Sequence, residues 1–159
     1  MTLPALDHRG LLPEGRHDCE DWEVLKAAFA LNEARSKLLA KALECVRKKL
    51  TPAGAGLELI VGGSFVTDKV DPGDIDLTIL LPVSDLPSRG VLMQLFFEEG
   101  AKGPMWETYK VEFYVSLLDQ RCNNLALYFE YVGLKTGEEK SLDPKDKRGT
   151  VRIKKWTLG

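Results

Sequence analysis

The chain has 159 residues, of which 44% are hydrophobic and 29% charged, with a formal net charge of −2. That is one domain's worth of protein, able to bury roughly two-thirds of its unfolded surface, so disorder is not expected. The charge argues against general DNA binding or nucleic-acid coating. With no basic-then-apolar leader and no apolar run of membrane-spanning length, a cytoplasmic protein without a membrane partner is expected.

Cys19, Cys45 and Cys122 form no Cys-x-x-Cys pair and read as reduced thiols, and neither His8 nor His17 has metal-site spacing. Residues 1–18 are rich in proline, glycine and charge and predict an irregular arm, pinned to the body by Leu3, Leu6, Leu11 and Leu12. Residues 19–159 read as a single domain. A helical pattern begins at Asp18 or Asp21 and runs to about Lys49, with Trp22, Leu25, Phe29, Leu38, Leu39, Ala42, Leu43 and Val46 at three- and four-residue steps. Asn32 marks a break in it, and Thr51 to Gly56 is a turn.

Leu57 to Val61 is short and β-rich enough for a buried strand, and it ends abruptly in Gly62-Gly63-Ser64. Glycines there let backbone N–H groups approach an anion, and a short helix from Ser64 would aim its positive end at the same point. Asp71-Pro72-Gly73-Asp74 is turn chemistry, and Ile75 to Leu81 is again strand-like. Asp74 and Asp76, two residues apart, project from one face of an extended chain. Each half of this pattern alone is ordinary loop chemistry. Together they are not, because a carboxylate between Ile75 and Leu77 in a strand is unfavourable without a cation.

Pro82 to Pro87 predicts a loop with Ser84 or Asp85 as a cap, and Arg89 to Glu99 a helix with Val91, Leu92, Leu95 and Phe96 inward. Gly100 to Pro104 ends it. Glu107 to Val115 predicts a strand, in which Glu112 sits between Val111 and Phe113 much as Asp76 sits in its own. Leu117 to Tyr131 reads as helical, with Leu125, Leu127, Tyr128 and Phe129 as its apolar content. Thr136 to Lys147 reads as a mobile polar loop and Thr150 to Trp156 as a last strand. Lys145, Lys147, Arg148, Arg152, Lys154 and Lys155 crowd that end. Such a cluster is usually a solvated face, with Arg148 or Arg152 as the candidates for neutralising a bound phosphate or an RNA acceptor.

Gly63-Ser64, a spacer of about ten residues, then Asp-hydrophobic-Asp-hydrophobic resembles the active-site motif of the polymerase-beta-like nucleotidyltransferase superfamily. The longer string from Gly62 to Asp76, with Gly10-Leu11-Leu12-Pro13-Glu14-Gly15 and Gly149-Thr150-Val151-Arg152-Ile153, is similar to a branch of small bacterial and phage proteins of that type. The resemblance implies an α/β (α+β) architecture, a minimal nucleotidyltransferase fold in which a small mixed sheet is flanked by helices. It implies that Gly62, Gly63, Ser64 and Lys69 bind the phosphates of a nucleoside triphosphate, ATP by abundance. It also implies that Asp74 and Asp76 hold Mg²⁺ or Mn²⁺. The superfamily places a third carboxylate on a neighbouring strand, which maps to Glu112, with Glu107 as the weaker choice. Aspartate is the commoner residue there.

The activity so implied is transfer of a nucleoside monophosphate to a hydroxyl on a protein, as in toxin–antitoxin pairs, or on an RNA end or a small molecule. Fewer than fifty residues follow Glu112, too few for a second acceptor-gripping domain, so a partner is expected to bring the acceptor. The alternative is a catalytically inactive member of the fold acting as a nucleotide sensor or protein-binding module in antitoxin-like or phage–host conflict roles.

Overall fold

The computed structural model describes residues 2–120 and 124–159. Five strands form one mixed sheet: β1 (Gly15–Asp21), β2 (Glu58–Gly62), β3 (Ile75–Leu81), β4 (Val111–Leu117) and β5 (Gly149–Lys155). The spatial order is β1-β5-β2-β3-β4. The outer pairs β1–β5 and β3–β4 are parallel, and β2 runs antiparallel to both its neighbours. Seven α-helices accompany the sheet among the described residues: α1 (Trp22–Phe29), α2 (Glu33–Cys45), α3 (Thr51–Gly54), α4 (Gly90–Glu99), α5 (Pro104–Tyr109), α6 (Leu125–Tyr128) and α7 (Gly133–Lys140). The fold is α+β, as expected.

Alternation along the strands assigns the two faces. Leu59, Val61, Ile75, Leu77, Ile79, Val111, Phe113, Val151 and Ile153 turn to one side and meet Leu25, Phe29, Leu39, Ala42, Val46 and Leu50 from the helical layer. Burying each such side chain contributes about 1.5–3 kcal/mol, so this layer dominates stability. The other face carries Ile60, Leu80, Ala126 and Phe129 as a small satellite cluster. It also carries a buried hydroxyl pair, Thr78 Oγ1 to Ser116 Oγ at 2.6 Å, and beside it the acidic residues described below.

Local chemistry explains most boundaries. Asp21 caps α1 by accepting from the Val24 amide, and Asn32 caps α2 by accepting from the Arg35 amide. The two expected helices are therefore separate, with the break at Asn32. A π-type turn over Val46–Leu50 joins α2 to α3. Pro52 has no N–H for the Lys48 carbonyl and its ring would crowd it, so the helix widens just before. Thr51–Gly54 is thus helical rather than a plain turn.

Four further expected elements are corrected. The arm is not irregular throughout, because Gly15–Asp21 is a strand paired with β5. Its outward residues are charged and only Cys19 is fully buried, which erases the apolar alternation of an inner strand. The strand expected over 107–115 begins only at Val111. Pro104 starts α5 and Lys110 ends it in the left-handed region at φ 57°, so Glu107 is helical. Residues 117–131 hold the end of β4 and the short α6 rather than one helix, and residues 121–123, Cys122 included, lie outside the described residues. Finally, Gly133–Lys140 is a helix where a mobile loop was expected. Gly137 hides it from pattern reading, yet packing requires a glycine: a Cβ there would meet the Leu142 carbonyl oxygen at 2.8 Å. Within α4, Leu92 is buried as expected but Val91 is 70% exposed. The 3-10 segment before it, Val83–Ser88, has no side-chain cap from Ser84 or Asp85.

Candidate functional site

β2 delivers the chain to Gly62, opposite Asp76 in the antiparallel register. Gly63 then turns with φ 74° and ψ −164° into a single 3-10 turn, Ser64–Val66. Positive φ favours glycine, and space demands it too: a Cβ on Gly63 would lie 2.3 Å from Asp76 Oδ2. A Cβ on Gly62 would strike the Phe129 ring at 2.7 Å. The two glycines therefore let β2 lie against the acids on one side and α6 on the other. The Thr67 hydroxyl donates to the Ser64 carbonyl at 2.6 Å and accepts from the Lys69 amide at 3.1 Å, which closes the turn. Buried Arg35 donates to the carbonyls of Phe29, Phe65, Thr67 and Lys69, shaping the loop that carries Lys69 to the cleft.

Asp74 precedes β3, Asp76 lies in it, and Glu112 stands opposite Asp76 in the parallel β4 register. One carboxylate oxygen from each of the three lies within 4.8 Å of the others. The sequence reading of Asp74, Asp76 and Glu112 as neighbours is thus met in space. Asp76 is the most enclosed, and its Oδ1 is buried without a hydrogen-bond partner among the described residues. Burial first, then Asp74 and Glu112, push the Asp76 carboxyl well above the ordinary range. A buried, unpaired carboxylate oxygen beside two further acids offers the all-oxygen donor set that Mg²⁺ or Mn²⁺ takes, so these residues fit a divalent cation.

The surrounding cleft has a volume of about 300 Å³. Gly63 and Ser64 line one side, Lys69, Lys102 and Lys135 supply positive charge, and Tyr128 and Tyr131 add aromatic surface. Lys69 reaches the cleft as expected, where its ammonium pairs with Glu139 of α7 at 3.3 Å. Glu107 is absent from the lining. The two arginines left open by the sequence separate cleanly. Arg152 is engaged elsewhere, with Asp18 at 2.7 Å and Glu58 at 3.1 Å. Arg148 lines the cleft, is 3% exposed, and donates to the Gly63 carbonyl at 2.8 Å. Burial lowers its pKa to about 10, opposed by the charge of Asp76.

Sequence reasoning missed Trp106, whose indole N–H donates to Asp74 Oδ2 at 3.0 Å. It also missed Lys102, 3.9 Å from Glu112, and the α7 residues Lys135 and Glu139. No sequence signal ties these to the motif: Trp106 lies on α5, Lys135 and Glu139 on α7, two short helices that pattern reading did not find, and Lys102 lies in the turn before α5.

No curated protein and no solved structure matches the chain. Among the described residues, no helix is long and apolar enough to cross a membrane. Residues 4–154 match one family model, so the chain belongs to DUF6932, described as a family of unknown function.

Proposed function

We propose that the protein is a metal-dependent nucleotidyltransferase that moves a nucleoside monophosphate from a nucleoside triphosphate, by default ATP, to a hydroxyl of a protein or RNA acceptor. The single observation that carries this reading is the convergence of Asp74, Asp76 and Glu112 across the β3–β4 pair, facing the Gly63-Ser64 turn. The resemblance stated above rests partly on the same residues and extends to further segments, Gly10–Gly15 and Gly149–Ile153.

Asp74, Asp76 and Glu112 would hold Mg²⁺ or Mn²⁺, which when bound supplies charge neutralisation on phosphorus oxygens and acidifies a coordinated hydroxyl. The remaining work falls to the chain. Gly63 and Ser64 accept the triphosphate against a backbone turn whose shape Thr67 and Arg35 hold. Lys69, Lys102 and Lys135 bring positive charge to the leaving pyrophosphate. The acceptor oxygen bonds to the α-phosphorus, the bond from that phosphorus to the bridging oxygen breaks, and pyrophosphate leaves with the electron pair. The acceptor's proton passes to Glu112, the least enclosed of the strand-borne acids.

The test incubates the pure protein with α-labelled nucleoside triphosphates, Mg²⁺ or Mn²⁺, and fractionated cell extract. Label should appear on a macromolecule and vanish with Asp76→Asn. Label unchanged in that variant would assign the activity to a contaminant. Nucleotide binding without transfer, to any macromolecule or small alcohol, would favour the inactive sensor.

A further inference from the structure

Resting on the metal-dependent reading above, we propose that Trp106 is a positioning residue for Asp74: its indole fixes the carboxylate in the orientation from which it serves the cation. The three acids are not held alike. Asp76 and Glu112 are strand residues locked by the β3–β4 register. Asp74 lies outside the ladder, after Gly73, around which there is open space. Its side-chain hydrogen bond among the described residues is the 3.0 Å bond from Trp106 Nε1 to Oδ2. A carboxylate has about four lone-pair sites, so one bond to the indole leaves the remainder for the cluster.

The ring is itself fixed. Met105 is fully buried beside it, and Lys110 Nζ stands 4.3 Å from the ring centroid, with Lys102 Nζ at 5.7 Å. Lys110 also receives, on its carbonyl, the Ile75 amide at 2.9 Å. One corner of the chain, from α5 into β4, thus grips Asp74 by its side chain and the next residue by its backbone. Hydrogen-bonding partners behind metal ligands commonly set affinity by 10–100-fold.

Trp106 also supplies its own signal. Trp22 and Trp156 are buried, their indoles donating to the Trp156 and Leu57 carbonyls at 2.7 Å, and neither lines the cleft. A change in tryptophan emission on cation binding should therefore come from Trp106. The experiment measures Mn²⁺ affinity by paramagnetic resonance and Mg²⁺-dependent emission on the full chain, its variants W106F, W106H, D74N and D76N, and the melting temperature of each without metal. The wild type should bind Mn²⁺ and change emission with saturation. W106F should lose the emission change and weaken Mn²⁺ by roughly 10-fold or more at an unchanged melting temperature, and W106H, which restores an N–H donor, should recover part of the affinity.

Wild-type affinity in W106F, with binding abolished in D76N, would overturn the positioning role and leave the metal reading standing. Absence of Mn²⁺ binding by the wild type would overturn both. A loss in W106F that tracks a lowered melting temperature and is not recovered in W106H would make Trp106 merely structural and overturn the proposal. Should W106F fail to fold, an Mg²⁺-dependent emission change that persists in D74N overturns it instead.

Discussion

Arg148 and Gly63 meet across 85 residues of chain, the guanidinium Nη2 donating to the glycine carbonyl at 2.8 Å. The bond joins the start of β5 to the turn that faces the acids. Its strength comes from the charge on the donor and from burial that excludes competing water. Arg148 Nε has no partner among the described residues, so the side chain is held by this bond and by the field of Asp76. Arg148→Met keeps much of the volume and removes both. It should cost about 1–3 kcal/mol, the range for stranding a buried polar group, read as a shift in the urea midpoint. Wild-type stability in Arg148→Met would mean that the bond contributes nothing.

Gly63→Ala tests the turn itself. A non-glycine residue at φ 74° and ψ −164°, a region essentially confined to glycine, is strained by about 1–3 kcal/mol, and the added methyl would fall against Asp76 Oδ2. Asp76 must therefore move. The variant should fold with a loss of about 2–3 kcal/mol, combining strain and displacement, and calorimetry should show divalent-cation binding gone. Retained binding would place the cation elsewhere.

Asp76 gives the pH dependence. Its folded pKa is raised by burial and by Asp74 and Glu112, so the folded chain keeps a proton that the unfolded chain has released. Stability of the metal-free protein is then fully present below the unfolded value, near 3.8, and is lost as pH rises through the folded pKa. Denaturant titrations in chelator from pH 4 upward should show this decline, and Asp76→Asn should flatten it and be the more stable protein at pH 7. Magnesium at about 100 times its dissociation constant should return about 2.7 kcal/mol to the wild type and nothing to the variant. A parallel pH profile in both proteins would rule out Asp76 as the group responsible.

Among the described residues Arg35 is a buried cation with no ion pair, satisfied by four backbone carbonyls. Its ring-stacking approach to Phe65, 5.2 Å from the centroid, adds to the clamp. Hydrogen bonds to charged groups contribute about 1.5–3 kcal/mol each and do not add fully. Arg35→Met should therefore cost about 3 kcal/mol or more by urea denaturation, and should speed hydrogen exchange at the Lys69 amide. Unchanged exchange there would detach Arg35 from the loop's shape.

What could be read from the sequence was what lies close along it. The β3 run from Ile75 to Leu81 is apolar on its core face and interrupted by acid, so both its bounds and Asp76 stood out. Asp21 showed as a helix start and Asn32 as a break because capping is a three-residue event. Glu112 stood out as a charge between two large apolar neighbours. Arg148 and Arg152 could not be told apart, because strand alternation and a change of chain path decide which one turns inward. β1 was hidden because an edge strand with a charged outer face has no apolar period of its own. Trp106 was hidden by the β-like residues that follow it, which drew α5 into the strand beyond.

The place of β5 in the sheet has one more consequence. It is last along the chain among the five strands yet lies between β1 and β2, and Arg148 stands at its entrance. A nascent chain still on the ribosome, even with both aspartates and Glu112 already made, has a gap where that strand belongs and lacks the Arg148 bond to the Gly63 carbonyl. The cleft that this turn lines can be completed only after synthesis has passed residue 155, so a prematurely terminated product carries the motif but not the assembled cleft.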